Sequence, residues 1–134
     1  MRMSLYAGTA ALLFGLIAPA QAGEGEWAPD QALIGQIEAK FAPIMDAGLK
    51  DIGEHDVKAP AALGEYARYY AGETVKGEKV VVGSFVYGWR SDAPGAHVVS
   101  MKELPSGAGG GCSMIHIWYH VATGEIESVC NFPM

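Results

Sequence analysis

The chain has 134 residues, half of them hydrophobic, and a formal charge of −6 at neutral pH. That length supports one hydrophobic core. A surface of this sign repels phosphate backbones and anionic lipid, which argues against nucleic-acid and membrane-surface roles.

Residues 1–22 hold one early cation (Arg2), an apolar stretch from Leu5 to Ala18, and the ending Pro19-Ala20-Gln21-Ala22. This order predicts a secretory signal peptide cleaved after Ala22. A lipid anchor is not expected, because Gly23 and not a cysteine follows. The stretch is too short and too interrupted, by Gly8, Thr9, Gly15 and Pro19, for a retained spanning helix. The expected product is one domain, residues 23–134, in the periplasm or secreted, with no membrane span after cleavage. Losing Arg2 leaves eight basic against fifteen acidic residues, a net charge of −7.

From Asp30 to Ile52, Leu33, Ile37, Phe41, Ile44, Leu49 and Ile52 trace one helical face. Pro29 suits the first turn, Pro43 predicts a kink near 40–42, and Gly53 is the expected stop. Pro60 to Glu65 predicts one short helical turn. Tyr66–Val75 and Val80–Trp89 read as a hairpin turning at Lys76-Gly77-Glu78-Lys79. Ser91 to Gly95 reads as a loop and His97–Leu104 as a third strand. The glycine-rich stretch 105–111 connects to Met114–Val121. A turn at 122–125 then leads to Ile126–Phe132. The expected fold class is α+β: one long, kinked N-terminal helix packed on a curled antiparallel sheet of four to five strands.

The fourth strand alternates, with Ile115, Ile117, Tyr119 and Val121 on one face and His116, Trp118 and His120 on the other. The two histidines lie about 13 Å apart along the strand, too far to share one metal ion. Each would have to pair across strands, for instance with His97. No metal site and no cofactor is expected, although Cys112, Cys130 and one histidine are the set that would hold a metal. Cys112 beside Gly109-Gly110-Gly111 matches no nucleophile signature. Cys112 and Cys130 instead predict a disulfide, because an exported pair meets an oxidising compartment. Its geometry is awkward. A two-residue turn at Thr123-Gly124 would set Ile117 opposite Cys130 and leave Cys112 five residues, about 16 Å, further back. A disulfide needs Cα atoms within about 7 Å. Cys112 must fold back through the glycine-rich loop, or the strand must bulge, or the pair stays apart.

Aromatic residues crowd the sheet region, and Tyr70, Trp89 and Trp118 are the ligand-contact candidates among them. Parity sends Tyr66 and Tyr70 one way and Tyr69 the other, so at most half can line one cavity. Arg90 with Asp92 reads as a surface ion pair, and Glu125 with Glu127 as a solvated edge beside a turn.

The stretches Tyr66–Ala71 with Val80–Phe85, and Gly110–Ser113 with Tyr119, Ala122-Thr123-Gly124 and Cys130-Asn131, resemble a group of small exported bacterial proteins without assigned function. In element order alone the chain is similar to cystatin-like and nuclear-transport-factor-like domains. The resemblance implies no functional residue.

The functional expectation is an exported, non-catalytic binding or interaction module for a small ligand or a protein partner. The alternative is a small cavity-based hydrolase or isomerase with His97, His116 or His120 as the acid–base group. A cavity holding a histidine beside a carboxylate would favour the enzyme. A filled core with solvated histidines would favour the module.

Overall fold

A computed structural model describes residues 25–51, 53–88, 93–107 and 111–130. The expected signal peptide (residues 1–22), Ile52, Trp89, the expected Arg90–Asp92 ion pair and Gly109-Gly110 lie outside the described residues.

Asp30 starts the helix α1 (Gln31–Ala47): its carboxylate accepts the Leu33 backbone N–H, at 2.9 Å. Ile34, Ile37, Phe41 and Met45 form its buried stripe, at steps of three and four. Pro43 sits inside α1 without ending it. Its missing N–H leaves the Ala39 carbonyl free, but both residues are exposed, so water can take that bond. The helix stops at Gly48, five residues before the expected Gly53. Gly48 has a φ of +115°, which breaks the helical path. The chain then forms a small ribbon from β1 (Leu49–Lys50) and β2 (Asp56–Val57).

The main sheet has five strands: β3 (Ala67–Val75), β4 (Glu78–Val86), β5 (Gly95–Val98), β6 (Met114–His120) and β7 (Ile126–Cys130). Their spatial order is β5-β3-β4-β6-β7. The β3–β4 turn is tighter than expected. Val75 pairs with Glu78, and Lys76 and Gly77 alone make the turn, both at positive φ (52° and 82°).

The all-antiparallel expectation is corrected at β5, which pairs parallel with β3. Its strand is also shorter than the predicted 97–104. Ser100 and Glu103 form a capping box that winds Met101–Glu103 into a 3-10 turn. β4 offers no free edge to β5, because β6 already pairs there.

The connection between β6 and β7 settles the cysteine geometry. It spans 121–125 and sets Ile115, not Ile117, opposite Cys130. The 3-10 turn Gly111–Ser113 then brings Cys112 back, and Cys112 and Cys130 form a disulfide with Cα atoms 4.6 Å apart. The register moves by two residues, so the facing of β6 is unchanged. With both sulfurs bonded, Cys112 is no nucleophile and neither cysteine offers a thiolate to a metal.

The core lies between α1 and one face of the sheet. Phe85 is edge-on to both Phe41 and Tyr70, with centroids 5.9 and 5.5 Å away, and Ile115, Ile117 and Tyr66 are fully enclosed. One polar cluster crosses this layer. Glu38 of α1 accepts from Arg68 Nε (2.7 Å) and the Tyr70 hydroxyl (2.8 Å), and Arg68 also donates to the Tyr66 carbonyl at 3.0 Å. Burial and the Glu38 carboxylate both push the Tyr70 pKa far up, so the phenol stays a donor. The Arg68 and Glu38 side chains are only 11% and 23% exposed, so breaking the pair strands a poorly hydrated carboxylate. Arg68→Met is expected to destabilise by about 2–3 kcal/mol in urea unfolding. A change under about 0.5 kcal/mol would show that solvent screens the pair.

Among the described residues no helix is long and apolar enough to cross a membrane.

Candidate functional site

The face of the sheet away from α1 carries the candidate site. Alternation and register put Tyr69, Ala71, Glu73 and Val75 of β3 there. They are joined by Val80, Val82 and Ser84 of β4, His116, Trp118 and His120 of β6, and Glu127 of β7. At one end of this face Ala67, Ser84, Val86 and Met114 are buried. At the hairpin end the face is open and forms a groove of about 370 Å³.

Short and long side chains alternate to make the groove. Val80, at its base, stands between Glu73 and His120 in one cross-strand row. Trp118 stands between Val82 and Glu127 in the next. Val75 and Glu78, paired beside the turn, complete the lining with Lys76. Val75 is 43% exposed, an apolar side chain left open to solvent. Three carboxylates therefore face one ammonium across an indole and two valines.

Of the predicted ligand contacts, Trp118 lines the groove. Tyr70 does not. It is fully buried in the helix-side core and bonded to Glu38, so that candidate is corrected. The opposite face of the sheet is covered by α1, whose buried residues pack with it into the core.

The histidines do not converge. His97 stacks on Tyr69 at 5.1 Å, on the edge strand β5. His116 belongs to the same cross-strand row, His97–Tyr69–Ser84–His116, three strand spacings or about 14 Å away. His120 lies two rows further along β6, in the groove, with Nε2 3.7 Å from Glu127 Oε1. That distance is too long for a hydrogen bond, and His120 Nε2 is buried with no hydrogen-bond partner. Among the described residues no three His, Cys, Asp or Glu side chains are grouped to hold a metal ion.

His116 Nδ1 lies 3.3 Å from the Ser84 hydroxyl, but Ser84 is only 2% exposed and out of a substrate's reach. Burial lowers the His116 pKa from its ordinary 6.5. The unfolded chain then binds this proton more readily than the folded one. The stabilisation is complete above about 6.5 and is lost as pH falls through the folded-state pKa. Urea midpoints of the wild type should fall from about pH 7 to about pH 5 more steeply than those of His116→Gln. Identical slopes would remove His116 from the account.

Sequence reasoning missed Glu73, Val75, Glu78 and Val80, and read Glu127 as a solvated edge. The signal was present in the β3–β4 hairpin. Once its register and that of β4 with β6 are known, parity sends these residues to the Trp118 face.

No family model matches this chain, and no curated protein or solved structure matches it.

Proposed function

We propose that this chain is an exported, non-catalytic binding module that holds a small ligand or a partner's side chain in the groove over Trp118. The observation that carries this reading is the groove itself. It joins an indole, an exposed valine and convergent carboxylates in about 370 Å³, at the lower end of the range for small-molecule sites. The signal-peptide pattern supports delivery to the periplasm or the exterior, and the Cys112–Cys130 disulfide suits an oxidising compartment. One helix on a five-stranded sheet supports a likeness to cystatin-like and nuclear-transport-factor-like domains in element order, and the likeness carries no function.

A fragment screen read by amide chemical shifts tests the site. Binders should perturb resonances of 73–80 and 118–127, and Trp118→Ala should weaken them by about tenfold or more. Perturbations confined to the separate groove lined by Gly48, Lys50, Asp56 and Lys58 would overturn this assignment.

One observation favours the enzyme alternative: His120 stands beside Glu127 inside the groove. In that reading His120 is the acid–base group. Turnover lost in His120→Gln with ligand binding retained would replace the binding module with the enzyme.

A further inference from the structure

We infer that the groove over Trp118 binds a small organic cation, an ammonium group carried on a short apolar body. This inference rests on the groove being the binding site and specifies the chemistry of its ligand.

The first argument is the sign of the lining. Glu73, Glu78 and Glu127 oppose Lys76 alone. An anionic ligand would meet uncompensated repulsion. A neutral ligand would partly cover these carboxylates and return no charge interaction for the water they lose.

The second argument is the ring. Tryptophan is the best side-chain partner for a cation, and the contact strengthens as the site is desolvated. The same hairpin already uses this contact on its other face, where Lys79 Nζ lies 4.9 Å over the Trp27 ring. Trp118, by contrast, has among the described residues one aromatic neighbour, the His116 ring, tilted with centroids 6.5 Å apart. No lysine or arginine among the described residues is placed over it.

The third argument is His120. Its Nε2 is buried at the groove without a hydrogen-bond partner, and Glu127 stands off at 3.7 Å. The Glu127 side chain is 68% exposed. Its carboxylate is thus free to turn to a ligand, because its neighbour does not hold it by a hydrogen bond. Val75 and Val80 supply the apolar wall for the body that carries the charge.

The test uses the mature chain and three matched probes: choline, its neutral carbon isostere 3,3-dimethylbutan-1-ol, and the anion 3,3-dimethylbutanoate. Choline should shift the amides of 73–80 and 118–127 and bind about tenfold or more tighter than the neutral isostere. High salt, about 1 M, should weaken choline and leave the isostere unchanged. Glu73→Gln combined with Glu127→Gln should remove most of the preference for charge. Trp118→Leu, which keeps an apolar strand residue, should lower choline affinity about tenfold, with circular dichroism confirming the fold. If the isostere or the anion binds as well as choline, the groove is a ligand site and the cation assignment is wrong. If choline shifts only resonances outside the groove, the assignment is wrong as well. If no probe of any charge shifts groove resonances, the binding-module reading falls with it.

Discussion

Replacing Phe85 by Ala is expected to lower the free energy of unfolding by about 3–5 kcal/mol. Phe85 is fully buried and sits edge-on to a ring on the helix, Phe41, and to a ring on the neighbouring strand, Tyr70. Removing it deletes both aromatic contacts and opens a cavity that those rings cannot close without leaving their own partners. Tyr70 cannot swing in freely, because its hydroxyl is tied to Glu38. Gly83, two residues earlier on the same face, leaves no spare side chain to fill the gap. It is glycine because a Cβ there would lie 2.8 Å from Ile117 Cγ1 and 3.0 Å from Phe85 Cε1. Urea or thermal unfolding of Phe85→Ala measures the effect. A loss under about 1.5 kcal/mol would mean that α1 is not held on this face by the ring cluster.

Cutting the disulfide is expected to cost about 3 kcal/mol. Cys112 and Cys130 are 18 residues apart, and closing a loop of that size restricts the unfolded chain by this amount in the chain-entropy model. The link also fastens the foot of β6 to the last residue of β7, where the Tyr66 hydroxyl donates to the Cys112 carbonyl at 2.6 Å. Cys112→Ser with Cys130→Ser should therefore loosen 111–114 as well as lower the unfolding midpoint. Amide exchange in 111–115 faster than in the β3–β4 hairpin is the local readout. The first check is mass. A non-reduced chain should weigh two hydrogens less than the reduced one, and free thiols that alkylate without reductant would refute the link. The groove lies at the other end of the sheet face, so the double variant should still bind there.

Much of the fold was legible because local chemistry and tertiary packing agree. Ile37 and Phe41 belong to one helical stripe, and the alternation from Ile115 to His120 separates core from surface. Where the reading departed from the structure, a local rule had two acceptable outcomes. Gly53 was the expected stop, but Gly48, at a φ of +115°, ends the helix first, and β1 then pairs with β2. The stretch 97–104 looks like a strand by composition, but Ser100 and Glu103 satisfy their own backbone and end it. The cysteine distance failed on turn length: a five-residue connection in place of two residues moves Cys130 opposite Ile115.

Residue order alone determined the fold class of this protein: one amphipathic helix followed by a run of strands. Those are properties of neighbours in the chain, and neighbours set helix stripes, strand alternation and caps. Only the tertiary structure decided that β5 joins the far edge of β3 in parallel, that Tyr70 is core, and that Glu73, Glu78 and Glu127 share a groove with Trp118. The reason is range. A groove is built from residues up to 54 positions apart, Glu73 to Glu127, and their meeting depends on strand order and register, which no local pattern encodes.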